Sequence, residues 1–194
     1  MKAWLNRLRR RLVRGIAFRI VFGERSQGRL LPNTRISPSA CLEHEDRLVL
    51  HDHVYVGPFV FIDASNGVTL HEGVQVTSHV SIVTHSSHRS MRLLGRDYVR
   101  WAGERPGWIA GAVEIGAYSF IGPHSLIEAG TRLGRGTVVC AGSVVRGEHP
   151  AFAVLDGRPA RVVGDTRDAD ARLLERHPEL RNLRAQWAGH DDTA

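Results

Sequence analysis

Eleven histidines are the side chains of this 194-residue chain best suited to moving a proton near neutral pH, because an unperturbed imidazole has a pKa of about 6.5. One of them, His85, ends a repeated segment and lies at the base of a long stretch without repeats, within VTHSSH. This position makes His85 the candidate general base of a catalytic site. His88 is a candidate neighbour in the same site.

Three polar residues are expected to lie beside His85. Residues 48–67 align without gaps on residues 68–87, so residues 20 apart should stack at one strand spacing, roughly 4.8 Å. Ser65 is then adjacent to His85, and Asp63 and Asn66 are close by. We predict that these three residues bind the molecule that reacts at His85. The alternative is that Asp-Ala-Ser-Asn-Gly only forms a corner of the chain.

The element that must position these residues is a solenoid. From residue 109 onwards, aliphatic residues recur every six positions: Ile109, Ile115, Ile121, Ile127, Leu133, Val139 and Val145. A period of six fits neither an amphipathic helix nor an alternating strand, but it is typical of stacked coils with one inward aliphatic side chain per short strand. Ile36 and Leu42 begin the first coil.

The six-residue repeat is interrupted from about residue 86 to 108, which predicts an ordered arm that forms an oligomer contact or a wall of the substrate site.

Basic residues are concentrated at the N-terminus. Residues 1–42 carry ten of the 26 Lys and Arg residues and one of the 20 acidic residues. The positive charge therefore lies outside the solenoid, which argues against a nucleic-acid partner. An amphipathic helix is predicted over residues 2–22, with arginines on one side and an apolar side formed by Trp4, Leu5, Leu8, Leu12 and Ile16. We expect it to bind an anionic membrane surface, or to pack on its own domain or a neighbouring subunit.

These patterns divide the chain into three parts. Residues 1–30 form the basic helix and a linker, residues 31–164 form the solenoid, and residues 165–194 form a helical cap with Pro178 at a junction. No apolar run is long enough to predict a membrane-spanning helix. Two cysteines form no disulfide framework and indicate a reducing compartment. We expect a cytoplasmic protein, peripheral on the inner face of the membrane if the helix binds lipid.

The hexads of residues 111–163, which close with GRPARVV, and the VTHSSH segment together resemble the hexapeptide-repeat acyltransferases. The pattern is most similar to that of the galactoside, maltose, nodulation-factor and polysaccharide O-acetyltransferases, and it covers about residues 36–163. The resemblance implies an all-β fold: a left-handed parallel β-helix with an N-terminal helix, one long loop and a C-terminal helix. It also implies a homotrimer with acyl-CoA sites in the grooves between neighbouring subunits.

The same resemblance implies a reaction at His85. An acetyl group would pass from acetyl-CoA to a hydroxyl of a saccharide, without a metal, in the biosynthesis of a bacterial surface polysaccharide or glycan; the acceptor would be a lipid-linked precursor if the basic helix binds the membrane. Such a transfer needs a base for the hydroxyl proton and a donor for the oxyanion. By resemblance, Pro123 and Ala141 lie along the pantetheine arm of the donor, and three arginines lie near its adenine and phosphates: Arg146, Arg158 and Arg161.

Two positions depart from the family pattern, and other functions stay open. Phe120 replaces a common Trp, and Gly164 replaces a common Lys or Arg. An aminosugar N-acyltransferase or a xenobiotic acetyltransferase would share the hexads and the histidine. A zinc enzyme of the γ-carbonic-anhydrase type needs three converging histidines, with a spacing that the pairs His51/His53, His79/His85 and His85/His88 lack. A non-catalytic scaffold is favoured only by the basic helix.

Overall fold

The repeated hexads fold into a three-sided parallel β-helix in a computed structural model, which describes residues 2–188. The strands in chain order are β1 (Glu24–Ser26), β2 (Arg29–Leu31), β3 (Arg35–Ile36), β4 (Cys41–Glu43), β5 (Leu48–Leu50), β6 (Tyr55–Val56), β7 (Phe61–Asp63), β8 (Val68–Leu70), β9 (Gln75–Val76), β10 (Ser81–Val83), β11 (His85–Ser86), β12 (Ile109–Ala110), β13 (Val113–Ile115), β14 (Phe120–Ile121), β15 (Leu126–Ile127), β16 (Arg132–Leu133), β17 (Val138–Val139), β18 (Val144–Val145), β19 (Glu148–His149), β20 (Ala153–Gly157) and β21 (Ala160–Asp165). The α-helices are α1 (Lys2–Ala17), α2 (His88–Leu94), α3 (Thr166–Arg176) and α4 (Arg181–Ala188).

Each coil contributes one strand to each of three sheets. Sheet I contains β3, β6, β9, β14, β17 and β20, and β21 is added at its end in the antiparallel direction. Sheet II contains β4, β7, β10, β15 and β18, and sheet III contains β5, β8, β13, β16 and β19; all their pairs are parallel. The chain turns at three corners, which we name I/II, II/III and III/I after the sheets that they join.

The predicted stacking of residues 20 apart is confirmed by the strand register. Leu50 pairs with Leu70 in sheet III, and Ile62 pairs with Ile82 in sheet II. The aliphatic residues of the hexads fill the interior, and most of them are fully buried: Ile115, Ile121, Ile127, Val139 and Val145. Burying such a side chain stabilises the fold by about 1.5–3 kcal/mol. Ile109 is the exception, because it lies in β12 outside the coils and is only half-buried.

Small hydroxyl residues at the corners give buried carbonyls a hydrogen bond in addition to the one from a backbone N–H. Ser125 Oγ donates to the Cys140 carbonyl at 3.1 Å, and Thr131 Oγ1 donates to the Glu128 carbonyl at 2.6 Å. Both side chains are buried. A buried carbonyl has two lone pairs to satisfy, so these residues keep the corners tight.

The interruption of the repeat is an ordered arm, as predicted. It leaves the coil at β11 and returns at β12, and these two strands pair antiparallel, with His85 opposite Ala110 and Ser86 opposite Ile109. Between them lie α2 and a 3-10 turn over Gly95–Asp97. The arm, residues 86–108, therefore extends from corner II/III.

The molecule is not entirely all-β, since helices lie at both ends and in the arm. The N-terminal helix ends at Ala17, earlier than the predicted residue 22. The C-terminal segment breaks between α3 and α4 at a 3-10 turn that begins at Pro178, as predicted. Within residues 2–188, no helix is long and apolar enough to cross a membrane.

The C-terminal helices pack along corner III/I. The Trp187 ring stacks on Tyr118 with 4.8 Å between centroids and lies 6.2 Å from Phe152. Asp165 caps α3 by accepting a hydrogen bond from the Arg167 backbone at 2.8 Å. The last part of the predicted cap, residues 189–194, lies outside the described residues.

Candidate active site

The stacking of two successive coils places His85 against polar groups from the coil before it. Asp63 ends β7 and pairs with Val83, two residues before His85. His85 Nδ1 lies 2.7 Å from Asp63 Oδ2 and 3.1 Å from Ser65 Oγ. In the described part of the chain, no hydrogen bond reaches His85 Nε2, so this nitrogen is the one available to a reactant.

Asp63 is held as a carboxylate by its surroundings. Its side chain is only 4% exposed, and it accepts hydrogen bonds from the Ser65 N–H at 2.9 Å and from Thr84 Oγ1 at 3.2 Å. Burial by itself raises the pKa of Asp63, but the hydrogen bonds from Ser65 and the charge of His85 outweigh burial, and the net result is a lowered pKa. An ionised Asp63 fixes the proton of His85 on Nδ1 and leaves Nε2 as an acceptor.

Trp108 covers the His85 ring from the side of the arm. The two rings are stacked with 4.9 Å between centroids and 9° between planes. The Arg105 guanidinium lies 5.7 Å from the Trp108 ring centroid and 4.8 Å from that of Tyr98. Only the aromatic content of the arm hinted at this stack in the sequence, because nothing in a repeat pattern places residues that lie outside the repeat.

His85 opens into a cleft of about 460 Å³ between the arm and corner II/III. This volume is within the range of pockets that hold small molecules. Its lining includes basic groups from both sides: His85, His88, Arg89 and Arg146. Glu128 also lines the cleft and forms an ion pair with Arg146 at 3.1 Å. His88 also lines the cleft, with Nδ1 2.6 Å from Ser86 Oγ.

The three predicted acceptor-binding residues surround His85, but their polar atoms are largely engaged within the corner. The Asn66 amide donates to the Thr84 carbonyl at 3.2 Å, and the Asn66 N–H donates to Thr84 Oγ1 at 3.0 Å. Ser65 Oγ faces His85 Nδ1. The Asp63 carboxylate is directed at His85 and away from the open cleft. The geometry thus gives Asp63 a role in orienting His85.

The five residues predicted to hold the donor lie at two different corners. The Pro123 carbonyl accepts from the Gly142 N–H at 2.8 Å, which sets Pro123 beside Ala141 at corner I/II. Arg158 Nε donates to the Gly142 carbonyl at the same corner, and Arg161 follows on β21, opposite Asp156. Arg146, in contrast, lies in the His85 cleft at corner II/III. One chain alone therefore does not bring these five residues together.

A metal centre has no support in the described residues. Over positions 2–188, no group of three or more His, Cys, Asp or Glu side chains is placed to hold a metal ion. The His71 ring is paired with Glu114 at 2.9 Å and lies 4.9 Å from the His51 ring, tilted by 34°, at a different corner from His85.

The fold is a three-sided parallel β-helix built from six-residue repeats. Residues 110–147 match the family model described as bacterial transferase hexapeptide (six repeats). A hexapeptide-repeat acetyltransferase from Vibrio cholerae, solved with acetyl coenzyme A, superposes with a TM-score of 0.59 and 22% identity over 69% of this chain and 68% of that one. The three parallel sheets and this likeness fit a left-handed β-helix.

Relatives in Escherichia coli confirm the resemblance to hexapeptide-repeat acyltransferases. WbbJ of strain K12, a candidate lipopolysaccharide biosynthesis O-acetyl transferase, is 32% identical over 58% of this chain and 57% of its own length. The galactoside O-acetyltransferase of the same strain is 25% identical over 71% and 64%. The dTDP-4-amino-4,6-dideoxy-D-glucose acyltransferase is 27% identical over 68% and 66%. The chain thus spans less than two thirds of the length of each of these relatives.

Proposed function

We propose that this protein is a coenzyme A-dependent acetyltransferase that moves an acetyl group from acetyl-CoA to a hydroxyl of a saccharide, in the biosynthesis of a bacterial surface polysaccharide or glycan. The observation that carries the proposal is the pair of Asp63 and His85 at the edge of the cleft, with Nε2 left as an acceptor. The relatives that act as O-acetyltransferases support the choice of reaction.

The chemistry follows from the two nitrogens of His85. Nε2 removes the proton of the acceptor hydroxyl as its oxygen attacks the thioester carbonyl carbon of acetyl-CoA. The tetrahedral intermediate collapses, the carbon–sulfur bond breaks, and the imidazolium returns the proton to the leaving thiolate of CoA. Asp63 stabilises the imidazolium that forms between these two proton transfers, in the way that a buried carboxylate does in serine hydrolases.

The predictions made from the sequence for the donor site, the acceptor site and the assembly are part of this proposal. Pro123 and Ala141 would contact the pantetheine arm, and Arg146, Arg158 and Arg161 would pair with phosphates through their guanidinium groups. Because these residues lie at two corners, the proposal includes a homotrimer in which one subunit supplies His85 and its neighbour supplies corner I/II. His88 lines the cleft, and Ser65 and Asn66, at the corner beside His85, would complete the acceptor site. The division at residues 30 and 164 and a cytoplasmic location are part of the same proposal.

A second function is transfer to the amino group of an aminosugar. The relative that acylates a dTDP-linked aminosugar supports it, and a base at His85 would serve an ammonium acceptor equally well. The two functions differ in the acceptor and share the donor. A screen of acetyl-CoA with neutral sugars and with amino sugars separates them.

The test is binding first and turnover second. We expect the metal-stripped protein to bind acetyl-CoA with a micromolar dissociation constant, about −8 kcal/mol, in isothermal titration calorimetry. His85→Ala should retain this binding and lose at least about 100-fold in transfer rate. His177→Ala is the matched control for loss of an imidazole and should keep both binding and turnover, because His177 is exposed and lies outside the cleft, next to Glu179. A folded protein without affinity for acetyl-CoA, or a His85→Ala variant with normal turnover, would overturn the proposal.

A further inference from the structure

The N-terminal helix leaves its apolar side open to solvent. Between 38% and 80% of each large apolar side chain on that side is exposed: Trp4, Leu5, Leu8, Leu12 and Ile16. Val21 and Phe22 extend the exposed surface beyond the end of the helix, at 62% and 61%. A row of exposed large apolar side chains on one side of a helix marks a contact with another molecule or with a membrane.

Among the described residues, the ring contacts that join the N-terminal segment to the β-helix lie just beyond the C-terminal end of α1. The Phe18 ring lies 5.5 Å from the Phe59 ring at corner I/II, and the Arg35 guanidinium lies 5.0 Å from the Phe22 ring centroid. Within residues 2–188, no side chain of α1 forms a hydrogen bond or an ion pair with the β-helix. The apolar side of α1 is thus available to a partner that approaches from outside.

The positive charge of α1 indicates that its partner carries negative charge. The helix carries six basic side chains and no acidic one: Lys2, Arg7, Arg9, Arg10, Arg11 and Arg14. At 100° per residue, Arg9 and Arg11 border the two edges of the apolar side, and the other arginines lie behind it. Long arginine stems at these edges can reach upward to a layer of anionic groups while the apolar residues enter a hydrocarbon layer.

A second copy of the helix complements this surface poorly. Packing two or more α1 helices through their apolar sides would bring Arg9 and Arg11 of one copy against the same arginines of another, without an acidic residue in α1 to pair with them. Anionic lipid headgroups supply the missing negative charge. We propose that α1 docks this protein on the surface of an anionic bilayer, lying in the plane of the headgroups.

Vesicle flotation of the full chain tests the docking directly. We expect binding to vesicles of phosphatidylcholine and phosphatidylglycerol in equal parts, and at least about tenfold weaker binding to pure phosphatidylcholine vesicles. Raising the salt concentration should weaken binding to the anionic vesicles, because salt screens the arginines. The measurement needs no acetyl transfer, so its outcome is independent of the proposed function.

Two double variants separate the apolar from the charged contribution. Leu8→Ser with Leu12→Ser removes apolar surface, and Arg10→Gln with Arg14→Gln removes charge; each should lose at least about tenfold in vesicle binding. The matched control is Leu173→Ser with Leu183→Ser, since these residues of α3 and α4 are 46% and 59% exposed. The control should bind as the unchanged protein does. Far-UV circular dichroism checks that the β-helix is intact in each variant.

Three outcomes would overturn the proposal. The first is the absence of binding to anionic vesicles, and the second is equal binding to neutral ones. The third is an apolar variant that binds as well as the unchanged protein. If vesicles are not bound and Leu8→Ser with Leu12→Ser instead lowers the mass in analytical ultracentrifugation, the helix is an interface between copies of this chain.

Discussion

At the scale of single residues, the candidate chemistry depends on which nitrogen of His85 carries the proton. Asp63 Oδ2 lies 2.7 Å from Nδ1, and the lowered pKa of Asp63 keeps the carboxylate charged. A charged acceptor at this distance fixes one tautomer and stabilises the imidazolium once it forms. In the proposed reaction, Asp63 would therefore act through His85, without contact with the reactants.

Replacing Asp63 by Asn tests this role. The amide can present its N–H₂ to Nδ1 and so favour the wrong tautomer, and we expect turnover to fall at least about 100-fold with the affinity for acetyl-CoA unchanged. Asp52→Asn is the matched control, because Asp52 also accepts corner hydrogen bonds, from Asn33 and His53, but does not contact His85. Steady-state kinetics that show equal loss in both variants would contradict an orienting role.

The pKa of Asp63 also predicts how stability responds to acid. A carboxyl whose pKa is lower in the folded state stabilises the fold at every pH above its unfolded value, about 3.9, and this contribution is lost as the pH falls through the folded value. The free energy of unfolding should thus differ between the unchanged protein and Asp63→Asn by about 1–3 kcal/mol at pH 7. The difference should shrink below about pH 4 in urea titrations; a constant difference down to about pH 3 would contradict the assignment.

At the scale of elements, the arm forms one wall of the cleft and also covers the His85 ring. The stack of Trp108 on His85 holds the imidazole plane, and Arg105 lies between Trp108 and Tyr98. The arm is fixed at its root by the pairing of β11 with β12. A displacement of the arm would therefore move the cover of His85 as well as the wall of the cleft.

Trp108→Ala should reveal a positioning role. Without the stacked ring, His85 can rotate away from the line between Asp63 and the acceptor, and we expect kcat to fall by about 10- to 100-fold with a smaller change in the KM for acetyl-CoA. Trp101→Ala is the matched control on the same arm: Trp101 is 43% exposed, and its indole N–H donates to the Glu104 carbonyl. Phe at position 108 should restore much of the rate, which a purely structural loss would not allow.

The sequence predicts those parts of the site that follow the repeat, and it does not predict those that lie outside it. A fixed coil length of 20 residues is enough to predict that Ser65 and Asp63 lie beside His85, and the register confirms it. The orienting role of Asp63 does not follow, because the spacing sets proximity and not the direction of a side chain. Trp108 lies in the arm, where no period applies. The pattern also predicts a longer α1 than the helix that ends at Ala17, because periodicity does not fix where a helix ends; Phe18 lies just beyond that end and packs on Phe59.

At the scale of the whole molecule, the residues predicted to bind the donor lie at both ends of the strands of sheet II. His85 and Arg146 are at corner II/III, and Pro123, Ala141 and Arg158 are at corner I/II. The outer face of sheet II between them is only half-buried in one chain. It carries the apolar residues Phe61, Leu126 and Val144, with Ser81 between Phe61 and Leu126. A cyclic trimer would cover this face and would place corner I/II of one subunit against corner II/III of the next.

Mixing two inactive variants tests whether each site is shared between subunits. His85→Ala removes the base, and Ala141→Phe fills the exposed donor corner, so each protein alone should be inactive. In trimers assembled at random from equal amounts of the two, a site needs His85 from one subunit and Ala141 from its neighbour, and about a quarter of the sites should be complete. We therefore expect co-expression to restore about a quarter of the acetyl transfer per chain. Trimers folded separately and then combined are the control and should stay inactive, whereas mixed trimers without activity would show that one chain supplies the whole site.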